Sequence, residues 1–260
     1  MSRFPTFYIS HGGGPCFFMP DPRGAWTGLG TFLRDLPRSL SRTPAAILVV
    51  SAHWEENRIH VGAAARPELI YDYYGFPDYT YELEYPAAGA PDIAHRVGVA
   101  LAEHGIDHVV DTQHGWDHGV FVPLKVMYPE AEVPIVAISL RADLDPAHHI
   151  AVGRALESLR DDVVIIGSGS SFHNLSNFDP VPAQRFDDWL AETLVEPGPE
   201  RQRRLNSWES APGARAAHPR EEHLLPLMVA VGAANDEPGQ AVFRGPVLGV
   251  AMSCWRFGSH

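Results

Sequence analysis

Fourteen histidines stand in this 260-residue chain, and several occupy short segments that follow apolar runs. Thr6-Phe7-Tyr8-Ile9-Ser10 leads into His11-Gly12-Gly13-Gly14-Pro15. Ala45–Val50 leads into Ser51-Ala52-His53-Trp54. Val163–Ile166 leads into Gly167-Ser168-Gly169-Ser170-Ser171-Phe172-His173-Asn174. Imidazole is the commonest metal-ligating side chain and the one that titrates near neutral pH. Placed beyond the carboxyl ends of neighbouring parallel strands, where open α/β sheets bind their ligands, His11, His53 and His173 would converge on one crevice. A fourth histidine, His223, follows Glu221 and Glu222 at the start of an apolar segment. The two acids read as complements to a helix dipole, but a cationic histidine is unfavourable there. A neutral, metal-binding His223 fits better. His114 and His118 would share a helical face, but Gly115 and Gly119 argue against a helix. His118 is therefore read as a donor facing a substrate and His114 as the weaker candidate.

Other chemistries lack their residues. No CxxC exists, so a metal would depend on histidine and carboxylate. The HExxH spacing, the G-x-S-x-G nucleophile elbow and the Walker A loop are absent, and Gly167-Ser168-Gly169 lacks the third glycine of a dinucleotide fingerprint. His11-Gly12-Gly13-Gly14 looks like an oxyanion loop, but its serine is missing; Gly12 is expected among the substrate-binding residues. Cys16 and Cys254 are two cysteines in 260 residues and read as free thiols.

The elements that must hold these residues alternate between strand and helix. Helical spacing covers Ala25–Leu36, Asp92–His104 (ended by Gly105), Pro146–Leu159, Phe186–Leu194 and Glu221–Ala234, with Pro226 tolerable only in a first turn. Further strands are expected at Arg58–Gly62, His108–Val110, Pro134–Leu140, Ala241–Phe243 and Val247–Trp255. Tyr71–Pro91 is rich in aromatics, proline and glycine without a period. It reads as a long ordered loop whose rings, Tyr74 among them, either pack together or stack on a substrate. The expected fold is α/β, one domain over residues 1–260 with a mostly parallel or mixed sheet flanked by helices. A net charge of −12 disfavours nucleic acid and anionic membranes. No apolar run is long enough to span a bilayer and no secretory signal layout begins the chain, so a cytoplasmic location is expected.

Taken in order, His11-Gly-Gly-Gly-Pro15, Ser51-Ala-His53-Trp54, Tyr85-Pro86-Ala-Ala-Gly89, Asp117-His118-Gly119 with Val122-Pro123-Leu124, Gly167-Ser-Gly-x-x-x-His173-Asn174-Leu175 and Glu222-His223-x-Leu-Pro226-Leu227 resemble the class III extradiol ring-cleaving dioxygenases of the LigB-type superfamily. The likeness spans about nine-tenths of the chain and is nearest to the DOPA 4,5-dioxygenase-like branch. It implies one divalent metal per chain and a catechol opened beside its two hydroxyls with both atoms of O₂. His11 and His53 match two metal-ligating histidines. The superfamily's glutamate ligand falls on His223, with Glu222 adjacent, a departure that leaves Fe(II) and Zn(II) both open. His173 matches the acid/base histidine and is a candidate fourth ligand; His118 matches a substrate-side histidine. The implied mechanism has the catechol chelate the metal while His173 takes, and later returns, a proton. Two alternatives stand beside it: a zinc-dependent hydrolase on the same scaffold and a non-catalytic metal-binding relative. A homo-oligomer is left open.

Overall fold

A computed structural model of the protein describes residues 3–258. The elements run β1 (Thr6–Ser10), α1 (Thr27–Asp35), β2 (Ala46–Glu56), β3 (Ile59–Gly62), α2 (Pro91–Glu103), β4 (His108–Asp111), α3 (His118–Met127), β5 (Ile135–Arg141), α4 (Pro146–Ala155), β6 (Val163–Gly169), α5 (Pro180–Leu194), α6 (Gly198–Asn206), α7 (Ala214–Ala217), α8 (Leu225–Ala234), β7 (Gly239–Val247) and β8 (Val250–Phe257). The strands form one sheet in the order β4-β3-β5-β2-β6-β1-β8-β7. The four central strands, β5, β2, β6 and β1, are mutually parallel, while β3 and β8 enter antiparallel to their inner neighbours. The sheet is therefore mixed, with a parallel centre, as the alternating pattern predicts.

Burial follows from composition. The parallel strands are continuous apolar runs, and β1 is buried along its whole length, as expected for strands covered on both faces. Every residue of α8 is buried, and it lies against β6, β1 and α4. Its sequence, Leu-Pro-Leu-Met-Val-Ala-Val-Gly-Ala-Ala, is apolar all round, so no face can meet water at low cost.

Several boundaries differ from those the sequence suggests, each for a local reason. The strand expected to stop at Val50 continues to Glu56, with a register shift against β5 between Val50 and Glu55. His53 thus sits in an irregular part of a strand, where a bulge re-aims side chains. The helix expected from Glu221 begins at Leu225; Pro226 falls in its first turn, where its missing N–H costs nothing. Glu221, Glu222 and His223 lie in turns ahead of the helix, so the helix-dipole reading of the two acids does not hold. His118 opens α3, with Asp117 as the preceding cap residue and Gly119 inside the helix, so the glycines that argued against a helix here exclude it only ahead of His118. The final strands meet at a two-residue turn, Leu248-Gly249. Tyr71–Pro91 is irregular but ordered by bridges, Leu69 to Trp116 and Gly89 to Ile135, and by one short helical turn at Asp78–Glu82.

Candidate active site and metal centre

Strands β1, β2 and β6 are adjacent and parallel, so His11, His53 and His173 emerge at one edge of the sheet. His11 follows β1 directly, and its backbone N–H donates to Gly169 O at 3.0 Å. His223 is delivered to the same place by the turn before α8. Its carbonyl accepts from Tyr8 Oη at 2.8 Å and from Ser170 N at 3.0 Å. Close approach of that turn to β6 requires glycine at 169, because a Cβ there would stand 2.1 Å from His223 O.

The three ring nitrogens His11 Nε2, His53 Nε2 and His223 Nε2 face one another. His53 Nε2 lies 3.2 Å from each of the other two. Their opposite nitrogens fix where the protons are. His223 Nδ1 meets Glu222 Oε1 at 2.9 Å, and His53 Nδ1 lies 3.3 Å from Asp72 Oδ2. The Ser168 hydroxyl donates to Gly119 O, so toward His11 Nδ1, 3.1 Å away, it can only accept. Each Nδ1 therefore carries the proton and each Nε2 presents a bare lone pair. Burial pushes His11 and His223 well below the ordinary imidazole range, helped by repulsion from neighbouring histidines, and burial likewise pushes His53 down to about 3. Three neutral lone pairs at a common point repel one another unless a cation lies between them. Nitrogens about 2.0–2.1 Å from one ion stand roughly 2.9–3.4 Å apart at octahedral to tetrahedral angles. The 3.2 Å separations lie within that interval, so the residues fit a divalent metal.

Two more histidines flank this trio. His118 Nδ1 meets Asp72 Oδ1 at 2.8 Å, and its backbone N–H donates to the same oxygen at 2.9 Å. Its ring centroid is 4.0 Å from that of His53. His173 stacks on the His223 ring, and its Nδ1 meets Glu222 Oε1 at 3.1 Å. Each carboxylate thus joins one member of the trio to one flanking histidine. Burial works against both carboxylates. For Asp72 the hydrogen bond and charge of His118, with the charge of His53, outweigh it; for Glu222 the hydrogen bond from His173 and nearby charges do. Both are held below the usual carboxylate range. Behind His53, Ser51 Oγ donates to Asp117 Oδ1 at 2.7 Å and accepts from His53 N at 3.2 Å. Burial raises the Asp117 carboxyl to about 6.

The five histidines and Asp72 line a cavity of about 1150 Å³ that also touches Gly12, Tyr73, Tyr74 and Phe76. Gly12 adopts φ +90° beside His11, and a Cβ there would meet Cys16 Sγ at 2.5 Å. Within the aromatic segment, Tyr71, Tyr73, Phe76 and Tyr81 pack edge-on or tilted against one another, while Tyr74 projects outward. His114 is not among the converging residues; it stacks on Trp54, with centroids 3.8 Å apart. Both cysteines are free and buried, as expected, and burial pushes each thiol up to about 12. Asp72 is the site residue that the sequence does not single out. Its one signal is a lone acid inside an aromatic run, Tyr71-Asp72-Tyr73-Tyr74.

Comparison with known proteins defines the class. The profile of the LigB family, the catalytic LigB subunit of aromatic ring-opening dioxygenase, matches residues 6–250. The protein is thus a ring-opening dioxygenase, of a family whose members depend on a metal. Similar proteins include dioxygenase tasH of Hapsidospora irregularis, 39% identical over 99% of this chain and 86% of its own length. Two named 4,5-DOPA dioxygenase extradiol are also similar: that of Beta vulgaris is 39% identical over 98% of this chain and 95% of its own, and that of Escherichia coli K12 is 34% identical over 96% and 92%. The crystal structure of the uncharacterized Escherichia coli K12 protein JW3007 superposes with a TM-score of 0.78 at 29% identity, covering 98% of this chain and all of that one. The chain belongs to the LigB family of extradiol dioxygenases. Among the described residues, no helix is long and apolar enough to cross a membrane.

Proposed function

We propose that the protein opens a catechol ring, of DOPA or a related compound, beside its two hydroxyls with O₂, using a divalent metal held by His11, His53 and His223. The observation that carries this reading is the set of three bare Nε2 atoms, that of His53 lying 3.2 Å from each of the other two, flanked by two carboxylate-held histidines. When bound, iron(II) supplies both Lewis acidity and the electron exchange that dioxygen needs, whereas zinc supplies the acidity alone.

The protein's own residues do the rest. His173 lines the cavity with its Nδ1 engaged by Glu222, which leaves Nε2 to accept a hydroxyl proton from the substrate and return it as the ring opens. His118 is held from both its backbone and its ring by Asp72, so its Nε2 is free to accept from a substrate hydroxyl and can donate only after taking that proton. Gly12 leaves backbone space beside His11 for the ring, and Tyr74 stands at the mouth. His11 and His223 are buried, which keeps bulk water away from that side of the site.

The test is anaerobic reconstitution with Fe(II), followed by O₂ and a catechol panel. Oxygen uptake with a yellow ring-opened product is expected. A filled Fe(II) site that consumes no oxygen with any catechol would sink the reading. An all-histidine set also suits zinc, and hydrolysis retained with zinc alone would favour the hydrolytic alternative.

A further inference from the structure

The cavity is larger than one catechol ring requires, and its mouth is unusually apolar. Drug-sized ligands fill pockets of roughly 300–1,000 Å³, and this one holds about 1150 Å³. Among the described residues, nine large apolar side chains are exposed, and four of them line this one opening: Tyr74 (91% exposed), Leu175 (71%), Leu248 (42%) and Phe178 (37%). Scattered exposed apolar residues need no explanation, but a cluster at the mouth of a catalytic cavity marks a binding surface. They come from three separate parts of the chain: the aromatic segment, the loop after β6 and the β7–β8 turn.

The turn supplies an independent sign. Leu248 has φ +52° and Gly249 φ +83°, the pattern of a two-residue turn with both central residues left-handed. Asn-Gly or Asp-Gly is the favoured pair there, because a residue with a bulky side chain is strained in that conformation. The chain instead places leucine, half in water, at the rim. Residues held against their backbone preference cluster where function requires them. Arg23 is the sole Arg or Lys lining the cavity and is exposed. The lining carries two carboxylates, and both are engaged: Asp72 by His53 and His118, and Asp21 by Ala25 N, Trp26 N and Thr27 Oγ1, so an arm reaching the mouth meets mainly apolar walls.

From this we infer that the site takes catechols whose ring bears an extended apolar substituent, at least a second ring in size, seated on Tyr74, Leu175, Phe178 and Leu248. The inference rests on the ring-cleavage reading, and two measurements separate them. The first is kcat/KM for 4-methylcatechol and 4-phenylcatechol on the Fe(II)-loaded enzyme. The second is the Kd of the same pair by calorimetry on zinc-loaded protein, which requires no turnover. A preference of at least about tenfold for the phenyl compound is expected in both. The variant L248N, which suits the turn, combined with L175S, shrinks that preference below about threefold while the thermal midpoint of L248N alone stays level or rises. Equal or better handling of 4-methylcatechol by the wild type overturns the inference and leaves ring cleavage standing, as does a preference undiminished in the variant. Tenfold tighter binding of the phenyl compound with neither catechol opened brings down ring cleavage and keeps the arm site. Sedimentation decides the remaining occupant: a dimer that L175D and L248D convert to monomer would assign the apolar rim to a second copy and overturn the inference.

Discussion

Asp72 and Glu222 perform similar tasks on opposite flanks of the histidine trio, but by different means. Asp72 uses both oxygens, Oδ2 toward His53 and Oδ1 toward the ring and backbone of His118. Glu222 uses a single oxygen, Oε1, for both His223 and His173, and its other oxygen lies 3.4 Å from Arg220. Arg220 is in turn bound by both oxygens of Glu55, at 2.6 and 2.5 Å. The Glu222 charge is thus shared with a guanidinium, whereas the Asp72 charge faces only imidazoles. A carboxylate without a competing cation raises the basicity of the histidine it holds more strongly. The Asp72 flank should therefore contribute more to metal affinity, and the Glu222 flank more to the placement of the proton-transferring His173.

The largest expected effect treats the flanks alike. H53A and H223A should each leave the purified protein essentially metal-free by elemental analysis; retained stoichiometric metal in either would remove that residue from the ligand set. Next come the flanking histidines. H173Q should keep its metal and lose turnover by about 10²–10⁴-fold, the range of general acid–base catalysis, with H118Q retaining metal and losing less. Metal loss in H173Q would place His173 among the ligands. The carboxylates then separate the flanks. D72N should weaken metal binding by roughly 10–100-fold, measured by chelator competition, and E222Q by a smaller factor with a larger fall in kcat. The reverse order would break the asymmetry argued above.

The smallest effect is a control remote from both flanks. His149 is buried, its Nδ1 donating to Asp145 O at 2.7 Å and its Nε2 accepting from Arg141 N at 3.1 Å, and burial lowers it to about 4. Its folded-state pKa lies below the unfolded value of about 6.5, so its contribution is complete above that pH and declines as pH falls toward 4. The total is on the order of 3 kcal/mol. In urea titrations, H149N should flatten the loss of stability between about pH 6.5 and 4; an unaltered slope would assign the acid sensitivity elsewhere.

His11, His53 and His173 were legible in sequence because three parallel strands carry them to one edge, a placement that residue pattern and topology share. The bulge that puts His53 inside β2 was not, since a register shift depends on the partner strand β5 and leaves no local mark. In sequence, Glu222 reads as a dipole complement because an apolar run begins two residues after it. The helix itself starts at Leu225, and the preceding turn exists only because β6 at Gly169 lets it approach. Asp72 lay hidden in an aperiodic aromatic segment, where only tertiary bridges determine which side chains turn inward.

The order in which the chain is made gives β1 a further significance. It precedes the other described elements, yet both of its sheet neighbours, β6 and β8, come much later in the chain. His53 and His223 stand 170 positions apart in sequence. Such distant contacts form slowly, after the cost of closing long loops. If His11, His53 and His223 hold the metal as proposed, the ligand set is closed by a contact of long sequence separation, and metal uptake would follow the slow assembly of β1 with β6 rather than the early strands.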